Sequence, residues 1–255
     1  FKSNVLEVLD YVKTQKIPVV APFANSPELR NYSNLVIIET EQSVFADRIV
    51  KEVSLAYSDQ KIYIVADSDK TYANYMKKQL ESQLKNANIT VVNSSADIQL
   101  DTNMMTGQTA PVIAILANDN DDAGRDFSKK IIDLAKETSG MKSFSMYYHP
   151  SFEKNIAELS KASLVYLMDR KINTDGDFEK EVLADYKKKY CKAPSKYAVI
   201  GFDVVNDMLT RENSKGELFK QMNKPQTQLA TKFEFVRNKN GAYVNQGYRV
   251  VRLVP

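Results

Sequence analysis

From about residue 17 to residue 169, short apolar runs alternate with amphipathic stretches, and this alternation leaves few folds open. The runs Ile17–Ala21, Asn34–Thr40, Lys61–Asp69, Ile89–Asn93, Ala110–Asn120, Lys142–His149 and Ser163–Asp169 read as strands. Several are apolar at nearly every position, as in "KIYIV" and "PVIAIL". Continuous apolar strands belong to parallel sheets covered on both faces, where neither side meets water. Between them, residues 41–57, 71–88 and 126–138 repeat apolar residues at helical spacing, and 151–159 forms a shorter helix. Tyr72, Met76, Leu80 and Leu84, for example, fall four apart on one face. Strand and helix in alternation predict an α/β fold with doubly wound parallel sheets.

The pattern changes at the two ends of this region. Residues 3–16 predict a helix that leads into the first strand. Beyond 169, residues 177–190 and 196–212 predict two consecutive helices, and residues 231–254 a closing β-hairpin about the turn "NKNG". No Gly-, Ser- or Pro-rich linker divides the chain, and no segment repeats. The first residue is Phe1 rather than Met, and we expect a mature or truncated piece of a longer protein.

Composition narrows the function. The 255 residues are 43% hydrophobic and 26% charged, with a net charge of +3, which is ordinary for a globular protein. No Lys/Arg block stands out, so nucleic acid is not an expected partner. No apolar run approaches the ~18 residues of a membrane span. Cys191 is the only cysteine, so no intramolecular disulfide forms, and its setting reads as an inert thiol.

Phosphate-binding signatures are missing, since neither G-x-G-x-x-G nor G-x-x-x-x-G-K occurs. Two acid clusters, "DSD" at 67–69 and "NDNDD" at 118–122, follow strands. One reading is a divalent metal holding a nucleotide sugar, as in a metal-dependent sugar transferase. The other is that acids favour the positive end of the next helix. A calcium loop fails on spacing, because Ala123 and Lys130 stand where oxygen ligands are needed. His149, the single histidine, is either a strand-end polar residue or a ligand contact, since strand C-terminal ends face the crevice of such sheets. Two-histidine metal sites are excluded by count, and no G-x-S-x-G elbow supports a serine nucleophile. Tyr72 either packs in the core or points at what lies above the strand ends. No catalytic residue, metal site or cofactor is expected.

Several segments in order resemble the type I periplasmic binding proteins of the leucine/isoleucine/valine-binding class. "YVKTQKIPVVAPFANSPEL" (11–29) is similar to that family's strand and ligand-facing loop. "EQSVFADRIVKEV" (41–53) resembles the helix leading into the second lobe, and "KIYIVADSDKTYANYMKKQL" (61–80) the strand and Tyr-containing turn that follow. The helix pair in "FEKEVLADYKKKYCKAPSKYAVIGFDVVNDML" (178–209) is also similar, with Phe202 where the family has Tyr. The end of the chain resembles a subgroup found in LysM-containing cell-envelope proteins of Gram-negative bacteria. About three N-terminal strand–helix units of the family's first lobe have no counterpart.

The resemblance implies a two-lobed fold with an incomplete first lobe. Residues 1–40 and 170–225 would form partial lobe one, 41–169 lobe two, and 226–255 a C-terminal hairpin closing the fold. It implies an exported, non-catalytic small-ligand-binding or sensor-like domain, periplasmic or in the cell envelope, for an amino acid or cell-wall fragment. The alternative it leaves is an interaction module without a ligand, associated with peptidoglycan through LysM repeats elsewhere. Carried over by position, the lobe-one contacts fall on Phe23, Ala24, Asn25 and Ser26. Those of lobe two fall on Tyr72, Asn118, Asp119, His149 and Pro150. A first lobe cut in this way leaves a sheet edge unpaired, which implies self-association through that edge.

Overall fold

The computed structural model describes residues 2–254 apart from 16, 25, 213 and 240. In chain order its elements are α1 (Lys2–Val12), β1 (Val19–Ala21), β2 (Leu35–Ile37), α2 (Gln42–Ala56), β3 (Lys61–Val65), α3 (Thr71–Gln83), β4 (Ile89–Val92) and β5 (Val112–Leu116). There follow α4 (Asp121–Glu137), β6 (Lys142–Ser145), α5 (Pro150–Lys154), α6 (Ile156–Ser160), β7 (Val165–Met168), α7 (Asp177–Tyr190) and α8 (Lys196–Arg211). The chain ends with β8 (Gln226–Thr227), β9 (Lys232–Phe233), β10 (Phe235–Arg237), β11 (Tyr243–Asn245) and β12 (Arg249–Arg252). They divide into two compact units, one of residues 1–41 and 169–249, the other of 42–168 and 250–255.

The second unit is built on a six-stranded sheet in the order β12-β7-β6-β5-β3-β4, in which β4, β3, β5, β6 and β7 run parallel. All five residues of β5 and the last four of β3 are buried, as their unbroken apolar sequence demands. Successive side chains point to opposite faces. Tyr63, Val65, Ala114 and Leu116 meet Phe127, Ile131 and Leu134 of α4 with Phe152 of α5. On the other face α2 and α3 pack against β6, β3 and β4. Buried Met76 and Leu80 confirm the apolar stripe of α3.

The first unit has a four-stranded sheet, β1-β2-β11-β10, with β1, β2 and β11 parallel and β10 antiparallel to β11. Leu9 of α1 packs with Leu35, Ile37 and Val244 on one face. On the other, Ile200 and Val204 of α8 pack with Val36, Ile38 and Phe235.

One expectation needs correction. The closing hairpin is confined to β10 and β11, and the remaining strand, β12, joins the sheet of the second unit beside β7, where the Leu253 N–H meets the Leu164 carbonyl at 2.8 Å. The turn signal fixes only its own two arms. Self-association through the first unit's edge finds no support at β1, whose free side is poor in donors. Val19 N–H and the Ala21 carbonyl bond towards β2, which turns Val20 to the free side. The other positions of that parity are Pro18 and Pro22, which have no N–H. Prolines on an edge strand are a common guard against strand pairing.

The first unit contains a fully buried ion pair. Arg211, in the last turn of α8, donates from Nε to Asp207 Oδ2 at 2.6 Å and from Nη2 to Asp207 Oδ1 at 3.1 Å. Its Nη1 donates to the carbonyls of Gln221, Met222 and Lys224 at 3.0, 3.1 and 2.8 Å. The guanidinium lies 5.0 Å from the centre of the Phe235 ring. One side chain thus ties a helix end, the following turn and a strand. Replacing it leaves the Asp207 carboxylate buried without its cation. Arg211→Met should cost on the order of 3–5 kcal/mol of stability, read as a lower urea midpoint; a loss under about 1 kcal/mol would show the pair to be dispensable.

Candidate functional site

In the second unit β3 is followed on one side by β4, and the chain then returns to place β5 on the other side of β3. The loops after β3 and β5 therefore diverge above their shared C-terminal edge. Ligands of open α/β sheets bind in the crevice at such a reversal. A cavity of about 300 Å³ lies there. It is walled by Asp67, Ser68, Asp69 and Tyr72 after β3, by Asn118, Asp119 and Asn120 after β5, by Gln42 at the start of α2, and by Tyr147 beyond β6.

The charge of this cavity is one-sided, since three carboxylates and no basic side chain line it. Asp67 is held below the ordinary carboxylate range, first by the Ser68 hydroxyl, then by the Asn118 side chain and the Ser68 backbone N–H. Asp69 is likewise lowered by the Thr71 N–H, which donates to its Oδ1 at 2.9 Å. Both stay ionised at neutral pH. The helix N-termini nearby are each capped in part by the protein's own side chains: Asp69 takes the first N–H of α3, and Asn120 Oδ1 accepts from Asp122 N at 2.8 Å at the cap of α4. Asn118 Oδ1 accepts in turn from Asn120 N at 2.9 Å. The capping side chains and the neighbouring carboxylates offset the usual attraction of helix N-termini for anions. What remains is a set of acceptors and amides suited to an ammonium group or to hydroxyls.

Tyr72, Asn118 and Asp119 of the expected site are brought together in this cavity. His149 and Pro150 are not among the residues lining it. His149 is wholly buried, with Nε2 3.0 Å from the Asn118 carbonyl and its ring edge-on to Phe152 at 5.2 Å. It holds the cavity loop from beneath, and the carbonyl partner makes Nε2 the protonated nitrogen. Nδ1 has no hydrogen-bond partner, and the Asp121 carboxylate stands 3.8 Å away. Burial lowers the histidine's pKa, against the raising effects of the Asn118 carbonyl and Asp121. Pro150 is exposed at the first position of α5.

In the first unit Phe23 is 52% exposed, edge-on to Tyr197 at 5.8 Å. Ala24 packs on the core beside α1, and both line an apolar groove with Val5, Val8 and β1. The Ser26 hydroxyl is buried without a hydrogen-bond partner at the start of a 3-10 turn. Asn25 lies outside the described residues.

The sequence had marked the acid clusters but not Gln42 or Tyr147. Tyr147 was findable, as it stands two residues past a strand that ends on the same sheet edge. The longer α4 places Asn120 at its cap and Asp121 and Asp122 in its first turn, which accounts for those two acids. Among the described residues no group of three His, Cys, Asp or Glu side chains is placed to share a metal ion, and no helix is long and apolar enough to cross a membrane.

Neither a protein-family model nor a curated protein matches this chain. Solved structures do match in fold. A substrate-binding protein of an ABC transporter from Desulfitobacterium hafniense, in complex with leucine, aligns at a TM-score of 0.54 and 12% identity, over 96% of this chain and 73% of its own. A putative branched-chain amino acid ABC transporter protein from Rhodospirillum rubrum aligns at a TM-score of 0.58 and 12% identity, over 92% and 74%. A periplasmic ligand-binding protein of a branched-chain amino acid transporter from Burkholderia xenovorans aligns at 0.55 and 12%, over 98% and 69%. The fold is that of the type I periplasmic binding proteins.

Gly124 of α4 faces the His149 ring so closely that an added Cβ would come within 2.2 Å of it. In an open helix Gly→Ala stabilises by about 1 kcal/mol. Here Gly124→Ala should destabilise by roughly 1–3 kcal/mol, seen in urea melts; a gain would show that the ring moves freely. The single histidine also gives one ring signal by NMR. It should titrate below its ordinary 6.5. Since the unfolded chain takes up the proton first, this group costs no stability above pH 6.5 and a growing amount as the pH falls below it. A midpoint at or above 6.5 would contradict the buried neutral ring.

Proposed function

We propose that the chain is a non-catalytic small-ligand-binding or sensor-like domain, and that the cavity above β3 and β5 is a binding site for an amine- or hydroxyl-bearing molecule. The observation that carries this reading is the cavity's position at the reversal of the sheet together with its carboxylates and amides. Its volume suits a ligand the size of an amino acid or a single sugar. An ammonium group would sit by Asp67 and Asp69, and Asn118, Asn120 and Gln42 would serve hydroxyls. Structural likeness to amino-acid-binding proteins supports a ligand of the first kind, and a cell-wall fragment carries both kinds of group. The same likeness supports an exported, periplasmic or envelope location. Nothing in the cavity calls for a cofactor.

A second reading is an interaction module that keeps the fold without a ligand, joined to peptidoglycan through LysM repeats outside these residues. It rests on the exposed aromatic pair Phe23 and Tyr197, where a loop would otherwise turn polar groups to water.

A thermal-shift screen of amino acids, amino sugars, neutral sugars and muropeptides separates the two. A matching ligand raises Tm by mass action, by an amount that grows with RT ln(1 + [L]/Kd). Asp67→Asn should weaken that ligand roughly tenfold while leaving the melt of the free protein nearly unchanged. No shift at millimolar concentrations, or a preference for dicarboxylates, would overturn the binding reading.

A further inference from the structure

We propose a second binding site, on the β10 edge of the first unit, for a planar organic anion such as an aryl carboxylate or aryl phosphate. The site does not depend on the reading given above. A cavity of about 490 Å³ lies between the 3-10 turn at Leu218–Gln221 and strand β10, within the range of small-molecule pockets. Three aromatic rings line it, Phe219, Phe235 and Tyr243, with Lys220, Arg237 and Asn223. No acidic side chain is among its lining residues, so its character is opposite to that of the cavity in the second unit.

The aromatic wall is ordered. Phe219 and Tyr243 are stacked, with ring centres 5.4 Å apart and planes 12° from parallel. The Arg237 guanidinium lies 5.6 Å from the Tyr243 ring centre, and its Nε donates to the Gly241 carbonyl at 3.3 Å. These contacts fix the plane of the guanidinium and leave its two terminal amino groups for a bidentate anion. Among the described residues no carboxylate pairs with Arg237. Lys220 is 2.8 Å from Glu217, so its charge is shared, and Arg237 is the main partner for an anion.

The strand adds donors. The hydrogen bonds of Asn238 and Gln246 put residues 234, 236 and 238 towards β11. The backbone N–H groups of Phe235 and Arg237 therefore point away from β11, along the free edge of the sheet. A flat ring against the aromatic wall, with its acid group at Arg237, uses both the rings and the cation. A neutral ring would leave the cation unanswered, and an aliphatic acid would make less contact with the aromatic wall.

The test is calorimetric titration of the whole chain with benzoate, phenyl phosphate and neutral benzyl alcohol, with backbone NMR shifts to locate binding. Saturable binding of one or both anions is expected, with shifts at 218–223 and 235–243, and the stronger of the two identifies the acid group. Benzyl alcohol should bind at least about tenfold more weakly. Arg237→Gln should lose a similar factor and Arg237→Lys less, with unchanged melting, because Arg237 is exposed. The proposal is overturned if benzyl alcohol binds as well as the anions, if Arg237→Gln keeps full affinity, or if neither anion saturates at millimolar concentration. Shifts confined to residues 67–72 and 117–120 would also overturn it.

Discussion

Parallel pairing is the constraint from which the second unit follows. A parallel strand cannot be reached by a tight turn, so the chain must leave each strand at one end and return over a face. Every loop that follows a strand then opens on the same edge. β3, β5 and β6 deliver Asp67–Asp69, Asn118–Asn120 and Tyr147 to one place although these lie as much as 80 residues apart in sequence (147 − 67). The fold collects the polar residues, and the reversal between β3 and β5 opens the space between them.

Most of this was legible because it rests on local periodicity. The unbroken apolar runs of β3 and β5 announced burial on both faces, and the stripe of α3 announced a packed helix. The acids at 118–122 were legible as a helix start. What escaped depends on contacts between distant segments. The run at Arg249–Arg252 carries no sign that it leaves its hairpin for another sheet. A charged residue in the last turn of a helix reads as solvent-exposed, yet Arg211 is fully buried because Asp207 and three carbonyls surround it. His149 read either as a strand-end polar residue or as a ligand contact, and the family resemblance placed it at the crevice. It lies beneath the crevice instead, because Gly124 leaves room for a ring there.

The candidate site was legible in part for the same reason. Tyr72, Asn118 and Asp119 were marked as contacts by the family resemblance; each follows a strand, and position after a strand is what parallel topology converts into proximity. Gln42 precedes its strand neighbours in the chain and reaches the cavity from the start of a helix, a placement that no local pattern encodes.

The two units differ in how the chain supplies them. The second is almost continuous, from residue 42 to residue 168, and lacks only its last strand until the end. The first is not: Asn245 donates to the carbonyl of Ile38, 207 positions earlier, and β11 fills the middle of its sheet. During synthesis, β1 and β2 cannot complete their sheet until β11 has been made. The second unit can take shape on the ribosome, while the first is committed late and through contacts of high sequence separation, which form slowly. The prolines at 18 and 22 guard one edge of β1 through that wait, when an unguarded strand would have the longest time to find the wrong partner.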